Sequence, residues 1–315
     1  MFKSILQYKG NKLMILLRHA FFAGCLVAGL TNCSSKKSVN EDIESPIEEF
    51  KDYRYPATSK LQIATRDANA LSGTEIIQTI TNLGQEEREE FIFDEIIKGN
   101  IPNFLRNMIE VSSRTSVNEA FKYISYYVLP DYLALGSNED YFLCPMTPIL
   151  GQKIADELNC FLPTRKMVDQ IWEASTVKME PQPIPPSDKM ITIPVFKQHN
   201  SEVWMQRQKV IITDTLGSLV SGNKKDVIIS NLIYSSPEPR RVIIYGWHYR
   251  TGKNIQPVYA GHNENYVDYS HGIRLVQNKV FVDDVEMLAS EVLKSNEING
   301  LLSDEGKILK PYYPY

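Results

Sequence analysis

The sequence predicts an α+β fold, with a helical N-terminal part, a β-rich C-terminal part built on an antiparallel sheet, and a closing helix. Apolar residues recur at helical spacing between residues 74 and 98, which favours amphipathic helices. Aromatic and β-branched runs bounded by Pro or Gly become frequent later in the chain, which favours strands. Helices and strands do not alternate regularly, so a doubly wound parallel sheet is disfavoured.

The composition of the 315 residues is that of an ordinary globular protein, with 43% apolar, 10% aromatic and 23% charged residues. It excludes a wholly disordered chain, a collagen-like fibre and a polytopic membrane protein. The 34 basic and 38 acidic residues give a net charge of −4, which offers no basic surface to nucleic acid. No phosphate-binding loop, dinucleotide fingerprint or EF-hand motif occurs in the sequence.

Residues 1–33 have the pattern of a secretory signal peptide: four basic residues, no acidic residue, and an apolar run too short to span a bilayer. The run ends in Leu-Thr-Asn-Cys, which resembles the lipobox of bacterial lipoproteins, although Asn32 stands where that motif usually has a small residue. The resemblance implies cleavage before Cys33 and lipidation of Cys33. Cleavage at Cys25 and an uncleaved anchor are the alternatives.

This leader implies an exported protein of the cell envelope, facing the periplasm or the cell surface and held to the membrane by a lipid anchor. Loss of residues 1–32 removes four positive charges and takes the net charge from −4 to −8. Anionic lipid therefore does not attract the body of the protein, and the acyl chains on Cys33 must supply the attachment. Residues 34–59 are polar and acidic with two prolines, which is the composition of a disordered tether.

Two subdomains are predicted beyond the tether. Residues 60–179 are expected to be mainly helical with a strand pair, and residues 187–315 to be β-rich. The boundary is the segment 180–186, because its four prolines disfavour both helix and central strand.

The elements of 60–179 begin with helices over 74–82 and 86–98, the second ending at Gly99 as its C-cap. A third short helix is expected after Pro102. The remaining predicted elements are strands over 122–129 and 131–135, a helix over 147–159, and a helix over 165–175 with Thr164 as its N-cap.

Strand-like segments dominate the second subdomain, at 190–196, 226–232, 241–250, 254–259 and 272–276. The third and fourth of these predict a β-hairpin. The segment 224–226 is predicted to be a solvated loop. Asp283 is expected to cap a closing helix that ends near Ser295.

Two cysteines, Cys144 and Cys160, remain beyond the leader. They flank the predicted helix over 147–159, which is about 18 Å long at a rise of about 1.5 Å per residue. We expect two buried free thiols, with a disulfide as the alternative if the chain before the helix doubles back along it.

Three of the four histidines beyond the leader fall within 24 residues. The same segment is rich in aromatic residues and glycines, a combination typical of a small-molecule or glycan cleft. The candidate catalytic residues are His248, His262, Asp268, His271 and Arg274, and the candidate substrate-binding residues are Trp247, Tyr249, Tyr266 and Tyr269.

Two mechanisms would use this set. In the first, an imidazole acts as general acid or base, oriented by Asp268, while Arg274 holds a substrate carboxylate. In the second, His248, His262 and His271, with or without Asp268, bind Zn²⁺, although their spacing matches none of the tight helical zinc motifs. Histidines that serve only the fold are the remaining alternative.

The segment 270–274 (Ser-His-Gly-Ile-Arg) resembles the Ser-His-Gly-Cys-x-Arg motif of L,D-transpeptidases, which crosslink peptidoglycan. The resemblance places His262 at that family's earlier histidine and His271 at the motif's own. Ile273 stands where the nucleophilic cysteine and its neighbour should be, so the family's acyl-transfer chemistry does not carry over. The resemblance favours envelope chemistry only in general terms.

These observations lead to two hypotheses. The first is a lipid-anchored hydrolase that acts on envelope glycan or peptide, with peptidoglycan as a candidate partner, through a His-centred site. The second is a non-catalytic lipoprotein that binds a ligand or partner through the aromatic and His-rich cleft.

Overall fold

The computed structural model describes residues 58–210 and 216–315. The predicted signal peptide, its Cys33 and residues 34–57 of the predicted tether lie outside the described residues. The last two tether residues, Thr58 and Ser59, belong to a strand instead, because they pair with Ile109 and Met108.

The helices of the described residues come from both halves of the chain. They are α1 Gly73–Ile80, α2 Gln85–Ile97, α3 Pro148–Glu157, α4 Arg165–Ala174, α5 Ile193–Val210 and α6 Ala289–Lys294, with 3₁₀ turns at Asn103–Arg106, Asp188–Ile191, Asn231–Tyr234 and Asn299–Leu301.

The strands are mostly short and lie between these helices. They are β1 Thr58–Lys60, β2 Asn107–Val117, β3 Ala120–Val128, β4 Ala134–Gly136, β5 Tyr141–Leu143, β6 Cys160–Phe161, β7 Val177–Lys178, β8 Val220–Ser221, β9 Lys225–Val227, β10 Ile244–His248, β11 Asn254–Tyr259, β12 His271–Gly272, β13 Val276–Val282 and β14 Val285–Leu288.

The larger sheet has the order β1-β2-β3-β13-β14, with β6 also paired to β13, and every pair in it is antiparallel. Strands from both predicted subdomains therefore share one sheet, and the described residues belong to a single compact unit. The α+β class is confirmed. The helices, however, are spread along the chain and do not form a separate N-terminal part.

The smaller sheet has the order β11-β10-β9-β12 and carries the histidine-rich segment. The β10–β11 hairpin is confirmed, and β9 pairs antiparallel with β10 and parallel with β12. In this register Lys225 lies beside both Gly246 and His271. The sheet therefore brings together residues that are distant in the sequence.

Local signals define several elements as predicted. Ser72 and Glu75 form a capping box at the start of α1, and Thr147 and Thr164 cap α3 and α4 through hydrogen bonds to backbone N–H groups. Gly99 follows α2 with a φ of 88°, a left-handed conformation that glycine adopts without strain.

The predicted strand over 190–196 is wrong, because a 3₁₀ turn and the start of α5 occupy it. Pro194 lies in the first turn of α5, where a missing N–H costs no helical hydrogen bond. The inward-facing residues Phe196, His199 and Val203 then follow at helical spacing.

Other predicted elements also differ. The strand expected over 226–232 ends at Val227, because a 3₁₀ turn occupies Asn231–Tyr234, and the strand expected over 272–276 is divided between the end of β12 and the start of β13. Met108 and Ile109 belong to β2, so the short helix expected after Pro102 is a 3₁₀ turn that ends at Arg106. The segment 131–135 pairs only from Ala134 onward. The helix expected from Asp283 begins only at Ala289. Asp283 and Asp284, with φ of 44° and 72°, form the two-residue turn of the β13–β14 hairpin instead.

Two further features bear on the sequence expectations. Cys144 and Cys160 are both buried free thiols, as predicted. Among the described residues, no helix combines the length and the apolar character needed to cross a membrane.

Candidate functional site

Strand β10 directs its last two residues into different surroundings. Gly246 and Trp247 have φ of 95° and 53°, and the pairing with β11 shifts register just before them. A tryptophan at positive φ is strained and is held there by its packing. Trp247 is enclosed by aromatic rings from α5 and the segment before β12, whereas His248 turns towards α4.

His248 pairs with the carboxylate of Asp169, which is not among the predicted site residues. Its Nε2 lies 3.2 Å from Oδ1 of Asp169, which also accepts a hydrogen bond of 2.9 Å from the hydroxyl of Tyr245. The Trp172 ring lies 5.7 Å from the imidazole. His248 therefore sits on the α4 side of the smaller sheet, in contacts that involve neither His262 nor His271.

The other two predicted histidines converge on Asp268. The His262 ring stacks on Tyr266 with 3.8 Å between centroids and 15° between planes, and Tyr266 lies 5.8 Å from the His271 ring. Nε2 of His271 is 3.8 Å from Oδ2 of Asp268. We call His262, Tyr266, Asp268, Ser270 and His271 the Asp268 cluster.

Asp268 is buried and ionised. Burial acts to raise the pKa of its carboxyl, but His271, Lys225 and the hydrogen bonds from Ser270 outweigh burial and hold the pKa below its ordinary value. The Ser270 backbone N–H donates over 2.7 Å, and its hydroxyl donates to the same oxygen. Nζ of Lys225 lies 4.0 Å from the other carboxylate oxygen.

The two imidazoles of the cluster differ in exposure. His271 has no exposed surface, and burial lowers its pKa to about 4, so it is neutral at neutral pH. Neither of its ring nitrogens has a hydrogen-bond partner among the described residues. His262 is half-buried, and burial lowers its pKa less strongly. His262 is therefore the imidazole of this cluster that a ligand can reach.

Two buried residues beside the cluster were missed. His199 of α5 lies 4.9 Å from the Tyr269 ring and 6.1 Å from Trp247, and burial lowers its pKa to about 2. Lys224 donates a 2.6 Å hydrogen bond to the carbonyl oxygen of Tyr269, and burial lowers its pKa to about 7. The predicted solvated loop over 224–226 is wrong, because Lys224 is only 1% exposed and β9 begins at Lys225.

The remaining predicted residues lie outside the Asp268 cluster. Arg274 is 1% exposed, and its guanidinium donates hydrogen bonds to the backbone carbonyl oxygens of Leu129 and Val220. It therefore stabilises the backbone at these two residues. Tyr249 is 38% exposed in the hairpin turn. The aromatic rings of Trp247 and Tyr269 are buried behind the cluster.

A cleft of about 730 Å³ adjoins the Asp268 cluster at Tyr266. Its walls come from the turn between α1 and α2, the residues around the start of α5, and the segment 265–267. A ligand in this cleft would meet Tyr266, whose ring carries the stacked His262 on its face. The cluster thus combines an accessible imidazole, a buried carboxylate and a concave surface.

The placement of the histidines does not fit the zinc hypothesis. His248 pairs with Asp169, while His262 and His271 flank Tyr266. Within 58–210 and 216–315, no group of three His, Cys, Asp or Glu side chains is arranged to hold a metal ion.

Comparison of the chain with protein-family models, with curated proteins and with solved structures finds no match.

Proposed function

We propose that the protein is an exported, lipid-anchored hydrolase that acts on envelope peptide or glycan at the Asp268 cluster. The observation that carries the proposal is the convergence of His262, Tyr266, Asp268 and His271 beside a cleft of about 730 Å³. Perturbed ionisable groups beside a cleft are typical of catalytic sites.

The roles follow from exposure and charge. His262 is half-buried with a lowered pKa, so at neutral pH it is deprotonated and can accept a proton from water. The attacking water bonds to the electrophilic carbon and leaves its proton on His262, which then passes it to the leaving group as the scissile bond breaks. Asp268 favours the protonated imidazole of His262 through its negative charge.

The residues around Asp268 hold its negatively charged carboxylate in place. Ser270 donates two hydrogen bonds to Asp268, and the neutral imidazole of His271 packs behind it without adding positive charge at neutral pH. Burial, together with the negative charge of Asp268, raises the pKa of the Tyr266 hydroxyl to about 12. The charge of Asp268 therefore acts on both Tyr266 and the His262 imidazole that stacks on its ring.

The experiment compares wild type, His262→Ala and Lys253→Ala on purified peptidoglycan fragments, with products identified by mass spectrometry. Lys253 is an exposed residue of the β10–β11 turn and serves as the control. We expect hydrolysis by wild type and the control and a loss of about a hundredfold or more in His262→Ala, the usual contribution of an acid–base group. Equal rates in all three proteins would contradict the proposal.

One observation favours the alternative of a non-catalytic binding lipoprotein. Tyr266 lines the cleft whereas His262, Asp268 and His271 do not, so a ligand can occupy the cleft without contacting the acid–base groups of the cluster. In that case the same fragments would bind to the wild type and be recovered intact.

A further inference from the structure

The cleft beside Tyr266 has apolar walls and two cationic side chains. Leu83, Ile191 and Pro194 are among its apolar residues, and Arg88 and Lys189 are its cations. No acidic side chain lines this cleft among the residues that the structure describes. The charged side chains that line the cleft are therefore all positive.

Arg88 is a nearly buried charge without a partner. It lies in the first turns of α2 and is 7% exposed. Across the described residues its guanidinium makes no hydrogen bond and no ion pair, and its Nε is completely buried. Its carbon Cζ lies 5.9 Å from the centroid of the Phe196 ring.

The two carboxylates next to Arg88 in the chain, Glu87 and Glu89, are already engaged, and Glu87 accepts a hydrogen bond of 3.2 Å from the Gly84 backbone N–H. Glu89 accepts hydrogen bonds of 2.8 Å from the Thr147 backbone N–H and 2.6 Å from the Thr147 hydroxyl. These bonds hold Glu89 at the N-terminus of α3, so it attracts Arg88 through space but forms no ion pair with it. The two Nη groups of the guanidinium keep their four N–H donors available to a ligand in the cleft.

A desolvated guanidinium without a counter-charge is destabilising, and buried arginines are normally paired for this reason. When such a group lines a cleft, a bound ligand can supply the missing anion. The planar guanidinium fork matches a carboxylate, with which it forms two parallel charge-assisted hydrogen bonds.

We propose that Arg88 binds the terminal carboxylate of a peptide whose apolar side chains lie against the walls of the cleft. Lys189 adds a second positive charge to the same cleft. The inference rests on the proposed function only in taking this cleft as the substrate site, and it narrows the substrate to peptides with a free C-terminus.

Calorimetric titration with N-acetyl-leucyl-leucine and with its C-terminal amide tests the proposal, because the two probes differ only in the charged group. We expect wild type to bind the acid about tenfold or more tightly than the amide, the difference that a charge-assisted pair supplies. Arg88→Met should reduce binding of the acid to the level of the amide. Arg114→Met, which removes an exposed arginine of β2, should bind as wild type does.

Thermal unfolding of the same variants separates ligand binding from folding. Arg88→Met should be as stable as wild type or more stable, because an unpaired buried charge is replaced by an apolar side chain of similar length. Equal affinity for acid and amide, absence of binding of both probes at millimolar concentration, or a strongly destabilised Arg88→Met would each overturn the proposal. His262→Ala should still bind the acid, so loss of hydrolysis and loss of carboxylate recognition are measured separately.

Discussion

Nε2 of His271 lies 3.8 Å from Oδ2 of Asp268, in an interior where the imidazole has no exposed surface. Burial keeps His271 neutral, with a pKa of about 4, in spite of that nearby carboxylate. His199 is buried in the same way, with a pKa of about 2. Because the pKa of each imidazole is lower in the folded than in the unfolded protein, the free energy of unfolding depends on pH.

The first prediction concerns acid stability. Unfolded histidines bind protons near the ordinary value of 6.5, whereas folded His271 does so only near 4. The unfolded state therefore binds more protons in this interval, and the free energy of unfolding falls as the pH drops from 6.5 to 4. Each buried imidazole contributes a slope of about 1.4 kcal/mol per pH unit. Urea unfolding across this interval measures the slope.

A substitution identifies the source of that slope. His271→Gln should reduce the slope of unfolding free energy against pH by about 1.4 kcal/mol per pH unit, which corresponds to one proton. His262→Gln should change this slope less because His262 is half-buried. An unchanged slope in His271→Gln would show that His271 is not the titrating group.

The second prediction concerns Gly222, next to the smaller sheet. Its φ is 93°, and a Cβ atom there would lie 2.1 Å from the carbonyl oxygen of Met179. Gly222→Ala should lower the free energy of unfolding by about 2–4 kcal/mol, because backbone strain and overlap with a main-chain atom add together. Denaturant unfolding measures the loss.

Gly306→Ala is the matched control for this substitution. Gly306 has a similar φ of 78°, but a Cβ atom there would meet nothing within 4 Å. It should lose only the conformational part, about 1–2 kcal/mol. Equal losses at the two positions would mean that the Met179 carbonyl moves aside without cost.

Local patterns in the sequence were sufficient for part of the fold. Thr164 predicts the start of α4 because a hydroxyl before an amphipathic run satisfies free backbone N–H groups. The start of α5 was missed because Ile193, Val195 and Phe196 have the composition of a strand. Burial against the rest of the protein overrides that local preference.

The candidate site was also predicted only in part. His262, Asp268 and His271 lie within ten residues, so their clustering could be inferred from spacing. His199 and Arg88 come from α5 and α2, and tertiary packing alone brings them near this segment. His248 was grouped with the others by proximity along the chain, but β10 turns it towards Asp169 instead.

The third prediction concerns attachment to the membrane. If Cys33 carries a diacylglycerol, the full-length protein should partition into the detergent phase, and Cys33→Ala should move it to the aqueous phase. Cys25→Ala is the control, because Cys25 would be removed with the signal peptide. Partitioning that depends on Cys25, or on neither cysteine, would contradict lipidation at Cys33.

The fourth prediction concerns the pKa of His262, on which its proposed role depends. Burial lowers this pKa below 6.5, while the negative charge of Asp268 acts to raise it. NMR titration of the His262 ring should therefore give a pKa below 6.5, and Asp268→Asn should lower that value further because the favourable charge is lost. If His262 is the general base, the pH dependence of hydrolysis should rise through the same pKa and shift with it in Asp268→Asn. A pKa that is unaffected by Asp268→Asn would show that the carboxylate does not act on this imidazole.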